Sequence, residues 1–324
     1  MLTRIEDYAL IGDLHTAAIV SREGSIDWLC LPRFDSPACF AALLGSPENG
    51  RWLLQPLGKA RSTRRYRPHT LVLETKFEDS DGQVTLIDFM PMNAAGPRIV
   101  RIVRGDRGVV AMRMDLVIRF DYGMTVPWVT RQSDGSLLAI ASSHRLMLRA
   151  PVPVEGRNLH TAGEFSVKAG QTLQFELQYG SSFQPAHFRP SSKSALRKTE
   201  QSWRKWAARG KYRGRWADAV ERSLITLKAL TYSQTGGIVA SATTSLPEQP
   251  GGGQNWDYRY CWIRDATFTL LAFIHAGYHQ EARQWKSWLM RSAAGSAQGA
   301  MTLTLLRGGV RTELAIVPEL RAVA

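Results

Sequence analysis

The stretch MRMDLVIRF, residues 112–120, sets Met112, Met114, Leu116, Ile118 and Phe120 in alternation with Arg113, Asp115, Val117 and Arg119. Successive side chains of extended backbone point to opposite sides, so a period of two marks a strand with one buried face. LQFELQYG (173–180) repeats the pattern after a turn signal at Ala169-Gly170. There Leu173, Phe175, Leu177 and Tyr179 fall on one side, and Gln174, Glu176 and Gln178 on the other. Working outward, LVLETKF (71–77), QVTLIDFM (83–90) behind the Ser80-Asp81-Gly82 turn, LLAIASS (137–143) and RLMLRA (145–150) read as further strands. Many short strands parted by turns, with no helix-length pattern between them, predict an antiparallel sandwich over residues 1–188.

Near residue 190 the period changes. Pro190-Ser191-Ser192 leads into SALRKTEQSWRKWAARG (194–210), where Leu196, Trp203 and Trp206 have helical spacing and Gly210 makes a stop. In WADAVERSLITLKALTYS (216–233), Val220, Leu224, Leu227 and Leu230 recur at three- and four-residue intervals, the signature of an amphipathic helix. A Gly- and Pro-rich loop, TTSLPEQPGGGQN (243–255), precedes two more helices, from Asp265 to Gly277 and from Gln280 to Met290. All β followed by all α implies two domains: the sandwich, a helical linker over 189–212 and a helical unit over 213–294. The tail, 295–324, lacks aromatic residues and Asp, and its apolar residues keep no sustained period. It reads either as a short closing helix with a frayed end or as a loss of the natural frame near residue 296.

Composition narrows the classes. At 324 residues the chain exceeds the roughly 250–300 at which one core usually stops growing, and 44% hydrophobic residues exclude disorder. Cys30, Cys39 and Cys261 are an odd number without CxxC spacing, so neither a disulfide framework nor a zinc site is expected, and a reducing compartment fits. Glu6, Asp7 and Asp13 break any secretory pattern at the start. The apolar run LLAFIHAG (270–277) is interrupted by His275 and falls short of the roughly 18 residues of a membrane span. A soluble cytoplasmic protein with no membrane partner is expected. The net charge of +13 has its densest runs in RIVRIVRGDR (98–107), strand-like, and RSTRRYR (61–67), loop-like. With Tyr66 the single aromatic among them, these runs read as a solvated basic face rather than a nucleic-acid surface.

The chemistry concentrates in NWDYRYCWIRDATFTLL (255–271), which sets Tyr258, Tyr260 and Trp262 among Asp257, Arg259, Arg264 and Asp265. Aromatic faces stack on sugar rings while Arg and Asp serve vicinal hydroxyls, so the mixture suits a carbohydrate pocket. A buried aromatic corner with Asp265 as a helix N-cap and a paired Arg is the competing reading. Gly251-Gly252-Gly253 belongs to no phosphate-binding pattern. Asp257 and Asp265 are the acids at hand, but sequence does not set their separation, and an acid beside Arg264 suits binding better than proton donation. The seven histidines, among them His15, His69 and His275, lack metal-ligand spacing, and no GxSxG is present. His275, on an apolar helix face, is expected in the core, and Cys261 is expected to be buried.

Two long segments resemble the bacterial glycoside hydrolase family 15 proteins, the glucoamylase-like and trehalase-like group. They are IEDYALIGDLHTAAIVSREGSIDWLCLPRFDSPACFAALLG (5–45) and SLPEQPGGGQNWDYRYCWIRDATFTLLAF (245–273), and the likeness extends over residues 4 to about 294. The resemblance implies an α+β two-domain fold: an N-terminal antiparallel β super-sandwich, a helical linker and the first helices of an incomplete (α/α)6 toroid. It implies that Trp262 is a pocket-wall aromatic and that Arg264 and Asp265 bind glucose hydroxyls. Tyr258 then faces the developing oxocarbenium ion. The implied substrates are an α-glucan, a maltose-type oligosaccharide or trehalose, cut with inversion by two glutamates, with no redox cofactor. Trehalase-like members of the family also include ones that use phosphate and magnesium, and no metal-ligating residues are assigned in this sequence. In the family those glutamates lie well downstream of Asp265. Here only Glu281, Glu313 and Glu319 follow it, none in a matching context, so the chain is expected to lack turnover and to leave Phe268, Leu271 and Ile274 without packing partners. The alternatives are a non-catalytic carbohydrate-binding sandwich and, ranked last, a charge-driven nucleic-acid binder.

Overall fold

A computed structural model describes residues 4–92, 96–184, 194–244, 249, 251–294, 301–307 and 310–316. Alternating sequence becomes strand at β1 (Tyr8–Gly12), β2 (Ala17–Ser21), β3 (Ser25–Cys30), β4 (Ala38–Phe40), β5 (Arg51–Pro56), β6 (Arg61–Tyr66), β7 (Leu73–Glu78) and β8 (Gly82–Phe89). The series continues with β9 (Arg98–Val117), β10 (Trp128–Arg131), β11 (Leu137–Ala141), β12 (His144–Arg149), β13 (Glu155–Arg157), β14 (His160–Lys168) and β15 (Thr172–Ser181). All pair antiparallel into one 15-stranded system.

The runs RIVRIVRGDR and MRMDLVIRF, separate in sequence pattern, are one strand. The first half of β9 pairs with β8 and β15, and the second half pairs with β5 and β14, so two layers share it. Glycines permit the passage: a Cβ at Gly105 would collide with the Lys168 carbonyl, and Gly108 has φ +63°. The core lies between the layers, with Ile11, Val20 and Leu54 meeting Leu73, Val84, Leu146 and Phe175.

Met112, Met114 and Leu116 point inward and Arg113 outward, as the period predicts. Beyond them the pattern fails because both faces are covered. Arg119 is buried, its Nη1 donating to the carbonyls of Ile118 at 2.9 Å and Leu159 at 3.2 Å. Glu176 and Gln178 of β15, expected to face water, are buried too. The outer side of this layer carries a second apolar cluster of Val72, Ile87, Phe89, Val100 and Ile102, against which Ala195 and Leu196 pack.

Both basic runs depart from expectation. RSTRRY of that run is strand β6 rather than a loop; among the described residues it pairs with β7 alone, and an edge strand needs no apolar alternation to hold its place. Arg98 and Arg101 of the second run are buried rather than solvated. Arg101 binds both Asp88 oxygens, at 2.7 and 3.2 Å, and donates to the carbonyls of Trp52 and Gly24 in the opposite layer.

Helical spacing resolves into α1 (Ala195–Ala207), α2 (Ala217–Ala229), α3 (Ile263–His275) and α4 (His279–Ala294). Gly277, at φ +90°, ends α3 by the left-handed turn a glycine adopts freely, with the Tyr278 N–H returning to the Phe273 carbonyl at 2.7 Å. Trp203, Trp206, Leu224, Ile225, Phe273 and Tyr278 form a helical core that also takes in Leu14 and Leu71 from the sandwich. Trp206 stacks on Tyr278 at 4.3 Å, and Arg222 lies 4.2 Å above Tyr66. Among the described residues no helix is long and apolar enough to cross a membrane.

The tail is neither helical nor shapeless where it is described: Met301–Arg307 pairs antiparallel with Val310–Ile316 as β16 and β17. Thr and Leu alternate in MTLTLLR, and two glycines separate the strands in sequence, a hairpin signal that a search for helical period overlooks.

One face of α3 stands open. Phe268 is 68% exposed, Leu271 46% and Ile274 40%. His275, expected in the core, is exposed beside them, because nothing among the described residues covers that side. The double substitution F268Q/L271Q is expected to lower binding of a hydrophobic dye and light scattering, while unfolding free energy moves by no more than about 0.5 kcal/mol.

Candidate functional site

The aromatic segment runs into the first turn of α3. Residues 240–244 lie antiparallel to it: the Ser241 N–H donates to the Tyr258 carbonyl at 2.8 Å, the Ala240 N–H to Tyr260 at 3.0 Å, and Thr244 bridges Asp257. Tyr258 meets Trp262 edge to face, with centroids 5.3 Å apart and planes at 89°. Trp256 approaches the same indole at 6.1 Å, and the Trp262 Nε1–H donates to the Asp257 carbonyl at 2.9 Å. Two of the expected sugar contacts are thus joined in one rigid corner.

Trp262, not Asp265, occupies the N-cap position of α3. Asp265 sits in the first turn, where a carboxylate favours the helix N-terminus without capping it. Its Oδ2 lies 3.3 Å from Arg264 Nη2 and is buried without a hydrogen bond. Arg264 is largely exposed and Asp265 partly so, which leaves the pair open to an added partner. Among the described residues no hydrogen bond links this pair to the Tyr258–Trp262 corner.

Asp257 is committed elsewhere. Arg259 grips it from Nε at 2.9 Å and Nη2 at 2.6 Å. Burial alone would raise the Asp257 carboxyl, but these bonds and the guanidinium charge outweigh it and hold it below the ordinary carboxylate range. Arg259 Nη1 also donates to the Ser36 carbonyl at 2.8 Å and reaches Cys30 Sγ at 3.4 Å, and the guanidinium lies 5.4 Å from the Tyr122 ring. From the sandwich, the Trp28 Nε1–H donates to the Ala242 carbonyl at 2.8 Å. Sequence reasoning named Asp257 and Arg259 but missed Trp28, Ser36 and Tyr122, whose roles rest on contacts across the fold.

Burial disfavours the thiolate at all three cysteines. Burial pushes the Cys30 thiol up to about 11 and raises those of Cys39 and Cys261; Cys261 is half-buried rather than enclosed. Among the described residues no group of His, Cys, Asp and Glu converges as a metal site. A cavity of about 600 Å³ between β5, β9 and β14 contains none of the aromatic segment, and its Arg51 and Asp115 pair with each other at 2.8 Å.

With this geometry in view, known proteins are informative. Residues 214–310 match the profile "Glycosyl hydrolases family 15", and residues 1–203 match "Trehalase-like, N-terminal". A trehalase of Mycolicibacterium smegmatis is 32% identical over 97% of this chain and 51% of its own length. One from Mycobacterium tuberculosis is 32% identical over 86% and 45%. The chain spans about half the length of the curated relatives it matches. Among solved structures, a bacterial glucoamylase complexed with acarbose superposes with TM-score 0.61 at 13% identity, covering 90% of this chain and 50% of that one, a likeness of fold. Two adjoining profiles that together account for most of the residues, a sandwich followed by helices and the aromatic segment at their junction agree: this chain belongs to glycosyl hydrolase family 15, with a trehalase-like N-terminal domain.

Proposed function

We propose that the segment from Tyr258 to Asp265 binds the non-reducing glucosyl unit of trehalose or of a maltose-type α-glucan, as part of an inverting α-glucoside hydrolase. The relatives' trehalase identity favours trehalose. The observation that carries the reading is the pairing of an edge-to-face Tyr258–Trp262 corner with Asp265, whose Oδ2 is buried and without a hydrogen bond at the start of α3. Trp262 offers an apolar face to the sugar ring, Arg264 and Asp265 serve its hydroxyls, and Tyr258 faces the anomeric carbon as positive charge develops. On this reading α2, α3 and α4 are the first helices of the toroid, and the uncovered stripe on α3 is one of its internal packing faces.

Hydrolysis with inversion needs a general acid and a general base on opposite sides of the glycosidic bond. Asp257 is tied to Arg259, and Glu281 is buried among cations. Neither is free to give or take a proton, and Asp265 is assigned to the sugar hydroxyls beside Arg264, so on this reading these three acids do not supply the catalytic pair. Tryptophan fluorescence is expected to titrate with trehalose or maltose, and W262A to weaken that binding by about tenfold or more. Glucose release is expected to stay at background. Absence of any sugar response, or equal affinity in W262A, would refute the assignment.

A further inference from the structure

We propose that Arg259 is a positioning residue through which the β-sandwich sets the shape of the sugar segment, an inference that rests on the binding role given to Tyr258–Asp265. Arg259 lies within the aromatic segment, yet it is buried and its side chain leaves the segment for the other domain. Nε and Nη2 hold the Asp257 carboxylate in a two-point grip, while Nη1 donates to the Ser36 carbonyl and touches Cys30 Sγ at the end of β3. Tyr122, in the turn Asp121–Gly123, lies against the guanidinium.

The grip continues toward the sugar residues. The Asp257 carbonyl receives the Trp262 indole N–H, and Tyr258 packs edge-on to that indole. Holding Asp257 therefore fixes both ends of the short arc that carries the two rings. Each residue of such an arc, left free, loses backbone entropy when ligand orders it. A segment held before binding escapes that cost, so its anchor raises affinity without touching the ligand. A planar five-donor fork can hold a carboxylate, a carbonyl and an aromatic face at once, which an ammonium cannot. The sandwich is thus the template for the neighbouring domain's binding corner.

The test compares the full chain with R259Q, R259K and D257N by hydrogen exchange and by sugar titration, well below the unfolding temperature. Y122L, which removes the ring and spares the ion pair, serves where R259Q does not fold. Exchange across residues 256–265 is expected to quicken by about tenfold in R259Q, with the amides of β9 unchanged. Tryptophan fluorescence is expected to show affinity for trehalose or maltose about tenfold weaker, with R259K restoring little. R259Q combined with D257N is expected to cost no more than R259Q alone, since the Asp257 side chain acts through that guanidinium. Unchanged exchange in the segment overturns the proposal whether or not sugar binds. Quickened exchange with wild-type affinity overturns it as well, leaving a mere brace and an intact sugar site. If exchange quickens and neither wild type nor variant binds sugar, the clamp stands and the assigned ligand falls.

Discussion

Replacing Arg101 by Leu is expected to lower the unfolding free energy by about 3–5 kcal/mol, the range typical of a buried ion pair broken from one side. Arg101 and Asp88 have no side-chain exposure. The guanidinium binds both oxygens of Asp88, donates to Trp52 and Gly24 across the core and lies 5.2 Å from the Trp52 ring. Leucine, shorter than arginine, removes every one of these partners and strands a carboxylate away from water. Because the clamp ties β5 and the β2–β3 turn to β9, the loss should appear in global denaturant unfolding, with the midpoint lowered and the slope unchanged. The double variant R101L/D88L should recover much of the loss, since no uncompensated charge then remains. A single-variant loss below about 1 kcal/mol would show that water reaches the pair.

The same residue shows where a sequence stops being readable. Alternation identified the second half of β9 because one side faces solvent at Arg113, so polarity and burial coincide. It misread Arg98 and Arg101, and Glu176 and Gln178 of β15, because charged residues that satisfy one another inside a layered fold look in sequence like a wet face. Likewise RIVRIVRGDR and MRMDLVIRF were read as separate patterns, when Gly105 and Gly108 let one strand pass from layer to layer. The aromatic corner was legible because Tyr258 and Trp262 share one segment, a spacing that places them together at the start of a helix. Its foundations were not: Arg259 contacts residues 223 and 229 positions away, and Trp28 reaches a carbonyl 214 positions away. Such separations carry no periodic signal, although each sandwich partner but Tyr122 falls within the N-terminal segment that resembles the family.

Glu281, the one acid after Asp265 outside the tail, yields the second large effect. It lies on α4 with 2% exposure and accepts from Trp206 Nε1 at 2.7 Å and Arg209 Nη2 at 2.6 Å, with Lys228 Nζ at 3.3 Å. One carboxylate therefore joins α1, α2 and α4. Burial raises its pKa, but the Trp206 hydrogen bond, Lys228 and Arg209 outweigh burial and hold it below its ordinary 4.5. E281Q is expected to cost about 2–3 kcal/mol at neutral pH, since the amide still accepts one bond but no longer balances two cations. A group lowered in the folded state contributes fully above its ordinary range and loses that contribution as pH falls through its folded value. The gap between wild type and E281Q should therefore narrow as denaturation is measured at falling pH below the ordinary carboxylate range. K228M should cost less, because burial already pulls the Lys228 ammonium down and its charge is held at a penalty. A general acid for glycoside cleavage needs the reverse: a raised pKa and access to the leaving oxygen. A gap between wild type and E281Q that instead widened as pH fell from neutral toward the ordinary carboxylate range would mean a raised folded pKa, and Glu281 would then become a candidate for that role.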